Sequence, residues 1–402
     1  MRPRVRPLAA AVPVGRRFLS SGPHVLATLQ RHKGHARNNI PESILAKVGH
    51  NLHLRPQHPL GIIKRQIEAY CLKYSTSKGQ SGFALFDDYS PLVNPKQNFD
   101  DLLVGPEHVS RRPSDTYYLT DELLLRTHTS AHQNELLAGT QGDAAFLCSG
   151  DVYRRDEIDS SHYPVFHQME GVRVFTGAGR KAEAERDLKE LLSGLAVHLF
   201  GNVPVRWRDD YFPFTEPSFE LDVFYDGDWM EVLGCGVIHD KVMTLAGKSP
   251  AQCCGWAFGL GLERLAMVLF AIPDIRLFWT QDERFHRQFA TIDPKDAHAW
   301  RHIKFAPYSK FPLCYKDVSF WLPTSEPFHS NDVYEVIRSL GGDLVERVEL
   351  FDQFRNTKTG RESHAYRITY RHMDRSLTNE EVDTIQFLVR DELVKKLKIE
   401  LR

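Results

Sequence analysis

The chain has 402 residues, of which 42% are hydrophobic, and its formal net charge is −1. That length can build one large and one small hydrophobic core. The near-zero charge excludes a uniformly basic nucleic-acid coat, so any RNA contact must use local patches. The six cysteines form no C-x-x-C pair and have no metal-type spacing with histidine, which argues against a structural zinc site or a disulfide framework. No apolar run reaches membrane-spanning length, so we expect no contact with a membrane.

The first residues differ from the rest of the chain because they are basic and contain no acid. Seven arginines and one lysine precede Glu42, the first acidic residue. Arginine-rich, acid-free N-termini are typical of mitochondrial presequences, whereas a secretory signal would need a longer apolar centre. We therefore predict a presequence over residues 1–21 and a location in the mitochondrial matrix. A merely disordered basic tail is the alternative.

Residues 22–285 are predicted to form an α+β domain, with an N-terminal extension to about residue 40. Apolar residues recur at helical spacing in Pro59–Tyr74, which predicts an early surface helix. The segment Asn98–Tyr118 contains two prolines and is predicted to be rich in loops. A second helical pattern, over Ala182–Phe200, predicts a helix that covers one face of a sheet.

The segment Gly150–Val172 is predicted to form two strands joined by a charged turn. Phe166, Gln168 and Glu170 alternate along the returning strand, so they lie on one face of the sheet, opposite Arg154. An amide and charges are poor material for a core, because buried polar groups need partners. This face suits a ligand that has a ring, an ammonium group and phosphates. A charged hairpin in solvent is the alternative, but it would leave Phe166 unexplained.

Two further strands, Glu220–Phe224 and Trp229–Leu233, flank an Asp-Gly pair that is a strong hairpin signal. Strands joined by hairpins form an antiparallel sheet rather than a doubly wound parallel one. Gly259 and Gly261 lack the third glycine and the parallel strand–helix–strand context of a dinucleotide-binding motif. We therefore predict an antiparallel β-sheet flanked by helices.

Residues 286–305 are predicted to be a linker, and residues 306–402 a second, ferredoxin-like domain. Its βαββαβ order is that of a split βαβ unit. A capping box of Thr378 and Glu381 marks the start of the last helix. The elements are expected at Lys316–Leu322, Asn331–Leu340, Val345–Phe351, His364–Tyr370 and Asn379–Leu397, followed by a short tail strand.

One strand of this domain is predicted to have two different faces. Tyr366, Ile368 and Tyr370 point one way, while Arg367 and Arg371 point the other. An exposed basic and aromatic sheet face suits splayed RNA bases. Acids and bases roughly balance across the domain, so a protein-interaction module is the alternative.

Four segments resemble known motifs. Tyr153–Asp156 fits the aromatic–Arg–any–acid pattern of motif 2 of class II aminoacyl-tRNA synthetases, and Gly255–Leu265 resembles their motif 3. Arg126–Gln133 and Tyr211–Ser218 resemble segments of the phenylalanyl-tRNA synthetase catalytic chain. The last hundred or so residues resemble the ferredoxin-like anticodon-binding module of the single-chain organellar form of that family. The resemblance covers nearly the whole chain.

The resemblance implies a class II fold and a two-step reaction. ATP would convert phenylalanine to phenylalanyl-adenylate, and the acyl group would pass to the 3′ end of tRNA(Phe). Such a transfer depends on positioning and charge neutralisation and needs no protein nucleophile. The family also implies Mg²⁺ as a companion of ATP and a monomer without a second subunit. The connection Thr176–Lys181 is shorter than in organellar relatives, but it lies beyond the ligand face, so we expect the chemistry to be unaffected.

The resemblance also assigns residues to the site. Arg154 and Arg264 would be catalytic, with Arg154 clamping the α-phosphate and the amino acid carboxylate through its planar fork. Glu216 or Glu231 would hold Mg²⁺, and Arg367 and Arg371 would contact RNA. The residues expected at ATP are Arg154, Asp156, Ser161, His162, Tyr163, Phe166 and Arg264. Those expected at phenylalanine are His128, Ser130, Ala131, His132, Gln133, Gln168, Glu170, Phe212, Phe214, Glu231, Ala257 and Phe258.

The sequence is also compatible with two other functions. One is a class II ligase for another amino acid, although the rings of Phe212 and Phe214 argue against a small or phosphorylated side chain. The other is a catalytically inactive RNA-binding relative, against which the presence of Arg154, Glu170 and Arg264 argues.

Overall fold

The computed structural model describes residues 23–290, 299–307, 311–323, 327–372 and 375–402. The predicted presequence, residues 1–21, lies outside these ranges. The helices are α1 Pro23–Arg31, α2 Glu42–Leu45, α3 Pro59–Lys78, α4 Pro95–Asn98, α5 Gln133–Gly139, α6 Lys181–Phe200, α7 Asp240–Leu245, α8 Leu262–Phe270, α9 Glu283–Ala290, α10 Ser330–Gly341 and α11 Asn379–Leu397. The strands are β1 Phe83–Phe86, β2 Leu92–Val93, β3 Leu124–Leu125, β4 Ala144–Tyr153, β5 Val165–Thr176, β6 Val205–Asp210, β7 Thr215–Tyr225, β8 Asp228–Ile238, β9 Cys253–Gly261, β10 Cys314–Trp321, β11 Val345–Arg355, β12 Glu362–Tyr370 and β13 Glu400–Leu401.

A seven-stranded sheet, in the order β1-β4-β5-β9-β8-β7-β6, organises the larger unit. Each neighbouring pair is antiparallel except β1 with β4, which confirms the predicted antiparallel sheet. Asp226 and Gly227 join β7 to β8 with φ angles of 52° and 89°. Positive φ at both central residues is what a type I′ hairpin turn requires, so the Asp-Gly signal predicted the turn correctly.

Helices α3, α6 and α8 pack together against one face of this sheet. The predicted helix near residue 59 is confirmed, but only its second half lies at the surface, because every residue from Pro59 to Lys64 is buried. The ammonium of Lys64 lies 2.6 Å from Glu68 and 2.8 Å from Asp87. Lys64 suggests a solvent face in the sequence, but it is buried because two carboxylates pair with its charge.

The short connection between β5 and α6 is a tight turn. Gly177 and Gly179 adopt φ angles of 113° and 74°, which side chains rarely tolerate. Arg180 then donates to Glu183 in the first turn of α6 and to the carbonyl of Thr176. Helix α6 covers the sheet as predicted, with its leucines buried.

The smaller unit is a four-stranded sheet in the order β11-β12-β10-β13, with α10 and α11 packed together. Its elements follow the predicted βαββαβ order, and the capping box of Thr378 and Glu381 is present. Tyr366, Ile368 and Tyr370 are buried in the core of this unit. The ferredoxin-like fold is confirmed. Within the described ranges, no helix is both long enough and apolar enough to cross a lipid bilayer.

The two units are in direct contact. In the segment predicted as the linker, Trp300 and Phe305 are buried in the core of the larger unit. Tyr117 donates a 2.7 Å hydrogen bond to Glu335 on α10. Ile158, from the turn between β4 and β5, is buried in the core of the smaller unit. The smaller unit therefore rests on the turn that follows β4.

Candidate active site

Two cavities lie on the face of the large sheet opposite α3, α6 and α8. The larger has a volume of about 670 Å³ and the smaller about 360 Å³. Arg154, Gln168 and Glu231 line both cavities, as do Gly234 and Gly259. Because the two spaces share these walls, a ligand that fills one can touch a ligand in the other. The alternation of Phe166, Gln168 and Glu170 along β5 is what brings their side chains to this face.

The larger cavity gathers the residues predicted to bind ATP. It is lined by Arg154, Asp156, Ser161, His162, Tyr163, Phe166 and Arg264. Arg264 enters it from the first turn of α8, directly after the glycines of β9. The strand–turn–strand of β4 and β5 and the strand–helix junction of β9 and α8 thus meet around one space.

Arg154 stands at the junction of the two cavities. Its Nε donates to the carbonyl of Thr127 at 2.8 Å, and its guanidinium carbon lies 5.2 Å from the centre of the Phe166 ring. These contacts fix the plane of the guanidinium and leave its terminal nitrogens for a ligand. Burial lowers the pKa of Arg154, with Asp156 acting in the opposite direction, but an arginine keeps its charge in proteins.

The turn between β4 and β5 is built around Asp159. Its carboxylate accepts from the backbone N–H groups of Ser161 and His162 and lies 2.7 Å from the His162 ring. This hydrogen bond raises the pKa of His162, so the imidazolium is favoured. A cation in the same cavity as Arg264 suits the phosphates of a nucleotide.

Contacts from α10 hold the outer side of the same turn. Arg338 donates to the carbonyl of Asp156 at 2.6 Å, and Asn331 donates to the carbonyl of Arg155 at 3.2 Å. Just after α10, Asp343 accepts a hydrogen bond of 2.9 Å from the hydroxyl of Tyr163. This support from the smaller unit is not predicted by the sequence. A single apolar residue, Ile158, inside an otherwise charged turn was the available signal.

The smaller cavity is aromatic at one end and polar at the other. Nine of the residues predicted to bind phenylalanine line it: His128, Ser130, Gln168, Glu170, Phe212, Phe214, Glu231, Ala257 and Phe258. The rings of Phe212 and Phe214 stack with centroids 5.9 Å apart and planes 17° apart. Both rings face the smaller cavity. Ala131, His132 and Gln133 are buried nearby but line neither cavity.

Glu170 is the most unusual group in the smaller cavity. Its side chain is only 1% exposed, and neither carboxylate oxygen makes a well-formed hydrogen bond with a described residue. Burial raises the pKa of Glu170 to about 8, although the Ser130 hydroxyl acts in the opposite direction. Burial also lowers the pKa of His128 to about 3, so this imidazole is neutral. A buried carboxylate without a partner is unfavourable unless a ligand supplies the donor.

A pair of acids, Glu220 on β7 and Glu231 on β8, lines the polar end. Burial and the charge of Glu231 raise the pKa of Glu220. Glu220 was not among the predicted site residues. Glu216 lies outside both cavities, with its side chain 78% exposed and its carboxylate 3.5 Å from His239.

The described residues contain no cluster of three or more acids, histidines or cysteines that could hold a metal by itself. Mg²⁺, however, needs only one or two carboxylates when phosphate oxygens complete its shell. Glu231 fits that requirement because it lines both cavities, whereas Glu220 lines only the smaller cavity and Glu216 lines neither.

The two arginines predicted to bind RNA are both paired. Arg367 is exposed, donates to Asp317 at 2.8 and 2.9 Å, and lies over the ring of Phe351. The Nε of Arg371 lies 3.0 Å from the carboxylate of Glu346. The same sheet face also exposes the aromatic rings of Tyr315 and Phe354, which were not among the predicted RNA-binding residues.

Comparison with known families matches both units. A family described as "tRNA synthetases class II core domain (F)" matches residues 56–289, and one described as "Ferredoxin-fold anticodon binding domain" matches residues 309–402. The chain is 51% identical over 409 residues to "Phenylalanine--tRNA ligase, chloroplastic/mitochondrial" of Arabidopsis thaliana, covering 100% of this chain and 90% of the relative. It is 46% identical over 409 residues to "Phenylalanine--tRNA ligase, mitochondrial" of Dictyostelium discoideum, covering 90% and 89%. It is also 46% identical over 396 residues to the protein of the same name from Mus musculus, covering 90% and 86%.

Proposed function

The chain belongs to the mitochondrial phenylalanine–tRNA ligases of the class II synthetases, and we propose here how its residues divide the work. It attaches phenylalanine to tRNA(Phe) in the mitochondrial matrix, with ATP as the source of energy. The observation that carries the division of labour is the pair of adjoining cavities with Arg154 on their shared wall. One cavity suits a nucleotide and the other an aromatic amino acid.

Arg154 joins the two substrates. Its terminal nitrogens reach a carboxylate in the smaller cavity and the α-phosphate in the larger one, so the attacking and attacked groups are held together. The same charge stabilises the transition state as negative charge builds up on the phosphate. Phe166 stacks on the adenine ring, and Asp156 accepts from the adenine amino group. His162 and Arg264 bind the terminal phosphates that leave as pyrophosphate.

Glu170 and Gln168 bind the ammonium group of phenylalanine. The buried carboxylate of Glu170 receives the ion pair that it lacks in the free protein. His128 and Ser130 lie at the same polar end and orient the amino acid carboxylate. The substrate ring packs against Phe212 and Phe214, and edge-to-face contacts of this kind contribute about 0.5–1.5 kcal/mol beyond burial. Ala257 forms part of the wall and leaves room for the ring.

Mg²⁺ would be held by Glu231, with Glu220 beside it, and by phosphate oxygens of ATP. When bound, the ion neutralises phosphate charge, so that pyrophosphate leaves more readily. Glu216, the other predicted ligand, is not proposed for this role because it lies outside both cavities.

The ferredoxin-like unit binds the anticodon region of the tRNA. Its exposed sheet face combines Arg367 with Tyr315, Phe351 and Phe354, on which splayed bases can stack. Arg371 lies beside this face.

The single chain carries both a catalytic and an anticodon-binding unit, so we expect it to work as a monomer. Light scattering of the purified protein tests that expectation.

The deciding experiment is amino acid-dependent pyrophosphate exchange, measured with each of the standard amino acids, followed by charging of mitochondrial tRNA. Exchange with phenylalanine far above the other amino acids, and charging of tRNA(Phe) alone, is the expected result. Stronger exchange with another amino acid would overturn the substrate assignment. Exchange without charging would overturn the role of the ferredoxin-like unit.

A further inference from the structure

The loop of residues 127–131 presents His128 and Ser130 to the phenylalanine cavity. Arg126 stands at one end of this loop and His132 at the other, and both are almost completely buried. Nη1 of Arg126 lies 2.9 Å from Nε2 of His132, so the two ends of the loop are joined by a hydrogen bond between side chains. Neither residue lines the phenylalanine or the ATP cavity.

Arg126 also fastens the loop to β4. Its Nε donates to the carbonyl of Asp151 at 2.7 Å, and its Nη2 donates to the carboxylate of Asp151 at 2.8 Å. Its own carbonyl accepts from the backbone N–H of Tyr153 at 2.9 Å. At Gly150 an added Cβ would lie 2.0 Å from Nη2, so the guanidinium lies directly against a strand residue without a side chain. The loop is thereby tied to the strand that ends just before Arg154.

The hydrogen bond between Arg126 and His132 has a fixed direction. A guanidinium can only donate, so Nε2 of His132 must accept with its lone pair and the proton must sit on Nδ1. Nδ1 lies 2.6 Å from the carboxylate of Glu135, which accepts the hydrogen bond from Nδ1–H. Burial lowers the pKa of His132 despite the opposing hydrogen bond to Glu135, and the charge of Arg126 acts in the same direction as burial, which agrees with a neutral ring. His132 is therefore needed as an acceptor.

We propose that Arg126 and His132 form a staple that closes the phenylalanine-binding loop and sets the positions of His128 and Ser130. The proposal rests on the function proposed above, since it assigns the smaller cavity to phenylalanine. Both are positioning residues, because they act through the loop. Thr127, whose carbonyl holds Arg154, is fixed separately by Asn98 through hydrogen bonds of 2.9 and 3.0 Å. Loss of the staple should therefore disturb phenylalanine binding and leave ATP binding in place.

The test compares two substitutions at one position. His132→Leu removes the acceptor but keeps an apolar side chain, whereas His132→Gln keeps an acceptor near the position of Nε2. In pyrophosphate exchange, His132→Leu should raise the KM for phenylalanine by roughly tenfold or more, with the KM for ATP within about twofold of the native value. His132→Gln should restore most of the affinity for phenylalanine. His364→Leu, which removes a buried histidine from the ferredoxin-like unit, is the matched control and should leave the KM for phenylalanine unchanged.

Phenylalanine-dependent exchange by the native protein is established first, so a failure of the proposed function is seen separately. An unchanged KM for phenylalanine in folded His132→Leu overturns the staple. Equal increases in both KM values, or no rescue by His132→Gln, also overturn it, because they indicate a merely structural role. Should His132→Leu not fold, His132→Asn replaces it, since its shorter amide does not reach Arg126. Equal KM values for the Asn and Gln variants would then overturn the proposal.

Discussion

Neighbouring arginines can have different tasks, and Arg154 and Arg155 illustrate this. Arg154 lines both cavities and is held by Thr127 and Phe166. Arg155 points away from the cavities and donates to Asp332 at 2.9 Å in the ferredoxin-like unit. The two side chains point in different directions just after β4, so Arg154 serves the substrates and Arg155 the interface between the units.

Arg154→Ala should lower the rate of phenylalanine-dependent pyrophosphate exchange by roughly a hundredfold to a thousandfold or more, because the lost charge acts mainly in the transition state. The melting temperature should change little, since a ligand-facing guanidinium is not part of the core. Arg155→Ala is the control. It should lower the melting temperature and have a much smaller effect on exchange. Near-native exchange by a folded Arg154→Ala protein would remove Arg154 from the mechanism.

Glu170 links phenylalanine binding to proton release. With a pKa of about 8, the free protein keeps the Glu170 proton at pH 7. The ammonium group of phenylalanine favours the carboxylate, so binding should release about one proton at pH 7 and fewer near pH 9. Calorimetric titration in buffers with different ionisation enthalpies measures this number. Phenylalanine binding at pH 7 without proton release would contradict the assignment of Glu170 to the ammonium group.

The same pKa determines how stability depends on pH. The unfolded chain loses the Glu170 proton near its ordinary pKa of 4.5, whereas the folded protein keeps it up to about pH 8. The folded state thus binds more protons between these values, and stability falls as the pH rises through this window. The quantity to measure, in the absence of phenylalanine, is the melting temperature of Glu170→Gln minus that of the native protein. This difference should be larger at about pH 8 than at about pH 5. A constant difference would show that the carboxylate is not buried as described.

At the scale of elements, two glycines on paired strands have opposite roles. Gly171 of β5 pairs with Phe258 of β9, and a Cβ at Gly171 would lie 2.2 Å from that ring. Gly259 has open space around it and lines both cavities. One glycine makes room for the core and the other for ligands.

Gly171→Ala should destabilise the protein by about 1–3 kcal/mol, because the Phe258 ring must move in a close-packed core. Gly259→Ala should keep the native melting temperature but raise the KM for ATP or phenylalanine, since its methyl group enters the site. Thermal unfolding and exchange kinetics on both variants check this pair. The assignment fails if Gly259→Ala loses stability while Gly171→Ala does not.

Sequence patterns predicted elements best where the local signals agree. The last helix was predicted at Asn379–Leu397 and has those bounds, because periodicity and a capping box coincide. Along β5, strict alternation placed Phe166, Gln168 and Glu170 together. The predicted positions of site residues were wrong where the backbone is less regular. His132 ends a 3₁₀ turn, and there a run of neighbouring residues points in several directions, so it does not reach the cavity.

Other features depend on contacts that no local pattern contains. Strand β7 shifts its register with β8 between Leu221 and Asp222. A bulge of this kind decides which acids face a cavity, but it leaves little trace in the sequence. The burial of Lys64 on α3 depends in part on the distant acid Asp87. The insertion of Ile158 into the other unit's core depends on how the two units pack.

At the scale of the whole molecule, the nucleotide site is supported by both units. Arg338 on α10 holds the carbonyl of Asp156, and Ile158 packs into the ferredoxin-like core.

The boundary between the units also lies later than the predicted linker suggests. Phe305 is buried in the larger unit, and its N–H donates to the carbonyl of Phe270. A truncation that keeps the larger core intact must therefore extend beyond Phe305.

A chain that ends after Ala306 should still catalyse phenylalanine-dependent exchange, because every residue proposed for that step precedes the cut. Its KM for ATP should rise, since the turn between β4 and β5 loses the hydrogen bonds from Asn331 and Arg338. Charging of tRNA should fall by orders of magnitude, because the anticodon contacts are gone.

Full-length Asp332→Asn is the control, since it weakens the bond to Arg155 but keeps the RNA-binding face, and it should still charge tRNA. If the truncated chain charges tRNA(Phe) as fast as the full chain, the ferredoxin-like unit does not read the anticodon. If the control loses charging to the same extent, docking of the two units rather than RNA contact is what charging requires.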